Sequence, residues 1–147
     1  MAASLALAAD PFIGTWKSDP SKAKPSPGSA SFRSDGIMTW NAVTKDHYQE
    51  SWTSKNGQPA VTPTGEPARV VDIYLDGKDH GAGGNGVVSI AVRTDERHVR
   101  MTVRGPKGTT VTDDVVSADG KTLTVTRKGT GANNGRVLDE VFVFTKQ

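Results

Sequence analysis

Asp113 and Arg127 clash most with their surroundings. Each lies in a run of alternating Val and Thr, and the alternation puts both on the inner face of neighbouring strands, diagonal to one another. An unpaired charge there would cost several kcal/mol, which leaves two readings: a salt bridge at the rim, or a polar anchor inside a ligand cavity. Upstream, Met38 and Trp40 share one strand face, and Tyr48, Glu50 and Trp52 share a face of the next, so two indoles, a phenol and a carboxylate meet across a hairpin. Aromatic cross-strand clusters are core material, and they also serve as pocket walls. A carboxylate held in an apolar wall acquires a raised pKa suited to a general base. Glu50 and Asp113 are therefore the catalytic candidates if the chain is a small-molecule hydrolase or isomerase. Neither a nucleophile elbow nor a catalytic-triad order accompanies them.

Other chemistries have less support. His47, His80 and His98 share no metal-ligand spacing; His80 beside Asp76 and Asp79 is the nearest approach to a site, and no metal is expected. The run Gly81 to Gly86 lacks the Lys-Ser/Thr and the following helix of a phosphate loop, and no cofactor is expected. Zero cysteines exclude disulfides and thiolate chemistry. A formal net charge of +2 is too balanced to imply nucleic acid, and the Arg93, Arg97, Arg100, Arg104 and Lys107 cluster, interleaved with Thr and Asp114, reads as a solvated outer face. No apolar run reaches the roughly 18 residues of a membrane helix, so membrane insertion is not expected. The expected partner is a small molecule.

These residues need strands to position them. Period-two patterning predicts strands at about 12–17, 29–34, 37–44, 47–54, 69–75, 87–93, 97–104, 109–116, 121–128 and 137–145, with at most a short helix between Pro20 and Gly28. The expected fold class is all-β: a single antiparallel up-and-down barrel of eight to ten strands, closed to remove its edges. Three-residue loops at Pro106–Gly108 and Ala118–Gly120 would pair Val103 with Val111, Met101 with Asp113, Val99 with Val115, Val115 with Leu123 and Asp113 with Val125. The inner face then carries Val99, Met101, Val103, Val111, Val115, Leu123 and Val125, joined by Val88, Ile90 and Val92. The outer face carries His98, Arg100, Thr112, Asp114, Thr122, Thr124 and Thr126. Patterning leaves open which face of 137–145 turns inward.

At the N-terminus, Ser4 to Asp10 reads as the tail of a secretory signal, with Ala6-Leu7-Ala8 as a small-x-small cleavage site. The expected organisation is a signal remnant or tail at 1–8 and one barrel domain at 9–147. The expected location is exported, periplasmic or extracellular.

Gly14-Thr15-Trp16 on the first strand, Asp119 to Thr126, and an ending in Phe142 to Gln147 together resemble the lipocalin-like (calycin) barrels, and most closely exported bacterial proteins that open with "FxGTWK" and carry "DGKTLTVT". The resemblance implies that Trp16 plugs the closed end beneath a basic side chain, Lys146 or else Arg136, through cation–π contact. It also implies a mouth between the loops Ser54–Pro67 and Asp76–Gly86. The favoured function is noncatalytic binding of a small, largely apolar and anionic molecule, with Met38, Trp40, Tyr48 and Trp52 as walls and Glu50, Asp113 and Arg127 as anchors. The alternatives are the enzyme described above and a surface interaction or inhibitor module acting through the mouth loops.

Overall fold

The computed structural model describes residues 9–61, 70–82 and 84–147, without the side chains of Ser31 and Phe32. Its strands are β1 (Gly14–Ser18), β2 (Gly36–Thr44), β3 (His47–Ser54), β4 (Val71–Tyr74), β5 (His80–Gly81), β6 (Val88–Asp95), β7 (His98–Gly105), β8 (Gly108–Val116), β9 (Thr122–Thr130) and β10 (Val137–Lys146). All pair antiparallel in one ten-stranded sheet of order β4-β3-β2-β1-β10-β9-β8-β7-β6-β5. The sheet curls into a nearly closed all-β barrel. Pairing of β1 with β10 joins the two halves, and β4 and β5 remain as unpaired edges across a seam. Tyr74 bridges that seam, stacked on His80 at 4.2 Å and on His47 at 4.1 Å between ring centroids.

The segment expected as a strand at 29–34 is not one. It contains a single helical turn, α1 (Ser31–Ser34), outside the window allowed for a helix; a 3-10 turn at Pro20–Lys22 lies inside that window. Ser, Ala and Arg have little preference for pleated structure, and this stretch must cross from the end of β1 to the start of β2. Two hydrogen bonds tie that crossing: Ser18 Oγ donates to the Gly36 carbonyl at 2.9 Å, and the Gly36 N–H donates to Ser18 Oγ at 2.5 Å.

One end is filled. Phe12, Trp16, Trp40, Leu123 and Phe144 are fully buried there with Tyr48, Val99 and Val116. Trp16 donates its indole N–H to the Phe12 carbonyl at 3.0 Å and lies under Lys146, whose Nζ is 5.2 Å from the ring centroid. Lys146, and not Arg136, is thus the basic residue over the floor tryptophan. Gly14, at φ +138°, faces the Lys146 stem, where an added Cβ would lie 3.0 Å from Cε. Asp10 closes the floor from below, accepting from Tyr48 Oη at 2.6 Å and from Arg93 Nη2 at 2.8 Å.

The register of β8 differs from expectation by one residue. Gly105 pairs with Gly108 around a two-residue loop, so Val103 faces Thr110, Met101 faces Thr112 and Val99 faces Asp114. The next loop has four residues between Ser117 and Thr122, and Val116 faces Leu123. The two slips cancel, so β7 and β9 keep their expected faces while β8 between them is inverted. Thr110, Thr112, Asp114 and Val116 are buried inside, while Val111, Asp113 and Val115 face outward. Glycine's role in the first loop explains the slip. Gly108 adopts no left-handed φ; Gly105 and Gly108 instead press against Ala132 and Thr130, leaving no room for a Cβ. A bulge between Arg93 and Asp95 shifts β6 likewise: Ala91 is buried opposite Met101, and Val88, Ile90 and Val92 belong to the outer face.

Candidate functional site

Above the floor the barrel holds a cavity of about 360 Å³. β2 and β3 supply Met38, Glu50 and Trp52; β7 supplies Met101 and Val103; β8 supplies Thr110, Thr112 and Asp114; β9 and β10 supply Val125, Arg127, Leu138, Phe142 and Phe144; and α1 supplies Arg33. Period-two geometry brings these side chains together, since alternate residues of each strand point inward. Ala82, Val87 and the 131–136 connection line its open end. Of the two loops expected at the mouth, 76–86 contributes Ala82, and residues 62–67 of the other lie outside the described residues. A second cavity of about 310 Å³ lies at the seam, lined by Tyr74 and His80 and sharing Val71, Ala82, Met101 and Val103 with the first.

The candidate residues separate into three groups. Met38, Glu50, Trp52 and Arg127 line the cavity. Trp40 and Tyr48 pack into the floor: Trp40 lies 5.0 Å from Phe12 and 5.9 Å from Tyr48 between ring centroids, and the Tyr48 hydroxyl is bound to Asp10. Asp113 faces the outside, where Arg100 Nε and His98 Nε2 both reach its Oδ1 at 2.8 Å. Arg100 foremost, then His98, holds the Asp113 carboxyl below its ordinary value despite some burial. The expected Asp113–Arg127 pair is therefore corrected: the two lie on opposite faces of the sheet. The partner of Arg127 is Glu140, with Nη1 donating to Oε2 at 2.8 Å. Glu140 is fully buried and also accepts from the Ser26 N–H at 3.2 Å.

Two further polar residues, Asp114 and Arg33, join Glu50 and Arg127 in the interior. Asp114 is 6% exposed and, among the described residues, its Oδ1 has no hydrogen-bond partner. Desolvation, reinforced by the nearby Glu50 charge, pushes its carboxyl well above the ordinary range. Desolvation also raises Glu50, opposed by the 2.7 Å hydrogen bond that Trp52 Nε1 donates to it and by Arg33 and Arg127. Arg33 is brought down to about 10, by desolvation and then by repulsion from Arg127, with Glu50, Glu140 and Asp114 holding it up; it stays cationic at neutral pH. Its guanidinium lies 5.7 Å from the Trp52 ring centroid. Sequence reasoning missed Arg33 because it read that segment as a strand, and missed Asp114 because it inverted β8.

Among the described residues, no group of three His, Asp or Glu side chains is placed to hold a metal ion. His47, His80 and His98 each meet a different aspartate: Asp72 at 2.8 Å, Asp76 at 2.9 Å and Asp113 at 2.8 Å. No helix among the described residues is long and apolar enough to cross a membrane.

No protein-family model matches the chain, and no curated protein matches it in sequence. Solved structures do. Fatty-acid-binding protein 1 of Echinococcus granulosus is similar at a TM-score of 0.61 and 15% identity, covering 92% of this chain and 97% of that one. The Schistosoma mansoni fatty acid binding protein, in complex with arachidonic acid, is similar at 0.56 and 14%, covering 93% and 96%. A mutant of the fluorescent protein UnaG is similar at 0.59 and 15%, covering 93% and 96%. At these identities the likeness establishes the fold alone: this chain has the barrel fold of these solved structures, built here from ten antiparallel strands.

Proposed function

We propose that this chain is a noncatalytic binder of a small, largely apolar molecule with an acidic head, held inside the barrel. The observation that carries the reading is the composition of the cavity. Its walls of Met38, Trp52, Val125 and Phe142 surround a polar patch of Arg33, Arg127, Glu50 and Asp114. A volume of about 360 Å³ falls in the range of small-molecule sites, which combine apolar walls with a few fixed polar groups. Charge favours an anion. Burial raises both Glu50 and Asp114 and so weakens their hold on negative charge, while Arg33 stays cationic and Arg127 lines the same wall in its pair with Glu140. The fatty-acid-binding neighbours point the same way. Ala6-Leu7-Ala8 supports export to the periplasm or beyond and a place among the exported bacterial proteins that share the "FxGTWK" opening. The enzyme reading keeps Glu50 as its general base and loses Asp113, which the barrel wall separates from the cavity.

Decanoate and decanol, equal in tail and different in charge, test the reading. Both should bind one to one, the acid more tightly. Arg127→Met combined with Glu140→Gln removes both partners of the buried pair and one cation from the site. Decanoate affinity should then fall about 10-fold or more, the value of one charged hydrogen bond of roughly 1.5–3 kcal/mol, while decanol affinity holds. Calorimetry that detects neither ligand, or equal losses for both, would refute the proposal.

A further inference from the structure

Among the described residues, Asp114 has a buried carboxylate oxygen in the cavity that meets no donor. The neighbouring carboxylates are engaged: Glu50, on the cavity wall, by the Trp52 indole, and the buried Glu140 by Arg127 and the Ser26 N–H. A buried polar atom without a partner costs about 1–3 kcal/mol, and native interiors seldom tolerate one that water or a ligand does not satisfy. The position of Asp114 explains what could satisfy it. On β8 it sits opposite Val125 of β9 and Val99 of β7, so its lateral neighbours offer no donor. Arg127 lies two residues from Val125 on β9, diagonal to Asp114, and faces Thr112 directly. Among the described residues, Arg127 pairs with Glu140 and not with Asp114, although Arg127, Arg33 and Asp114 line the same cavity. An acidic headgroup placed between them would accept from the guanidinium groups and, on its other side, meet the Asp114 carboxyl.

Two carboxylates cannot share that position without a proton. We propose that Asp114 is part of the ligand site as a carboxylic acid, donating its O–H to the headgroup of a bound acid, so that an anionic ligand takes up a proton as it binds. This deepens the proposed function and rests on it. The groups around Asp114 agree. Arg33 on α1 and Arg127 on β9 favour its charge; Glu50 on β3 and Asp113 on the outer face of β8 oppose it, and Glu140 on β10 pairs with Arg127. Desolvation is the largest influence and favours the neutral acid. A bound carboxylate adds another negative charge and strengthens that preference. A carboxyl kept neutral by an apolar site to act as a hydrogen-bond donor has precedent in enzyme interiors.

Calorimetric titration of decanoate and decanol, from about pH 6 to about pH 9 and in two buffers of different ionisation enthalpy, tests this. Decanoate is ionised throughout that range. The sign is fixed: a raised pKa keeps Asp114 protonated on the acid side, so affinity for decanoate should be greatest there and fall as pH rises through that pKa, approaching about tenfold per pH unit. Proton uptake should approach about one per ligand on the alkaline side. Asp114→Asn, whose amide still donates, should bind decanoate with little pH dependence and about as tightly as the parent does in acid. Glu50→Gln, which removes a charge that opposes ionisation of Asp114, should move the fall in decanoate affinity to lower pH while leaving a slope in place. The proposal is overturned if decanoate binds without proton uptake, if Asp114→Asn retains the slope or loses binding at every pH, or if Glu50→Gln abolishes the slope. If neither decanoate nor decanol binds at any pH, the failure belongs to the cavity-binding reading itself.

Discussion

Arg127→Met alone should destabilise the protein by about 3–5 kcal/mol, because it strips the fully buried Glu140 carboxylate of its ion-pair partner and, among the described residues, leaves it the Ser26 N–H as hydrogen-bond donor. Small domains are stable by only about 5–15 kcal/mol, so much of the margin goes, and the melting temperature should fall by roughly 6–20 °C. Adding Glu140→Gln removes the stranded charge and should restore most of the loss. Equilibrium urea unfolding of the parent, the single and the double variant measures this directly. An unchanged midpoint for Arg127→Met would mean that the pair is not buried as described. The same energetics explain why binding is better tested with the double variant, since affinity measured on a partly unfolded single variant would confuse folding with recognition.

Leu123→Ala should cost about 2–5 kcal/mol, against within roughly 0.5 kcal/mol for Thr124→Ala, since Leu123 is fully buried in the floor cluster and Thr124 points outward. The sharper form of the test lies on β8. Val116 is 1% exposed and Val115 is 41% exposed. Truncating Val116 to Ala should cost about 1.5–3 kcal/mol and truncating Val115 about 0.5 kcal/mol or less. The opposite order would restore the register expected from the hairpin loops and return Asp113 to the interior.

The inversion of β8 shows where sequence patterning stops being informative. Alternation identified the inward faces of β2, β3, β7 and β9, because those strands place Met, Trp, Leu or Val against the core and polar residues elsewhere, and left that of β10 open, where Leu138, Phe142 and Phe144 prove to be the buried apolar set. β8 does the reverse along much of its length. It turns Thr110, Thr112 and Asp114 into a polar cavity and leaves Val111 and Val115 among the side chains of the outer face. The inward-apolar rule presumes a dry interior, and a strand that lines a polar binding site violates it at the residues that matter to function. Asp113 and Asp114 were thus exchanged by a one-residue slip. Glycine at 108 added to the error, because a residue required for close packing against Thr130 reads the same as one required for a left-handed turn. Arg33 was hidden for another reason: its helical turn is four residues long, too short to carry a periodic signal. Part of the floor was legible through the family resemblance carried by Gly14-Thr15-Trp16, which implied a basic side chain over Trp16 that Lys146 supplies; Trp40 and Tyr48, expected as cavity walls, were not legible as floor because a buried aromatic reads the same in either place.

A ligand held as proposed occupies the space beside Trp52 and leaves the floor undisturbed. The chain has three tryptophans, and their indole N–H groups report on three places: Trp16 bonds the Phe12 carbonyl in the floor, Trp40 packs between Phe12 and Tyr48, and Trp52 donates to Glu50 in the cavity. A two-dimensional nitrogen–proton NMR spectrum recorded during decanoate addition reads all three at once. The Trp52 indole resonance should shift progressively to saturation while that of Trp16 stays in place. A spectrum in which no indole moves, or in which Trp16 moves and Trp52 does not, would contradict a ligand in the cavity.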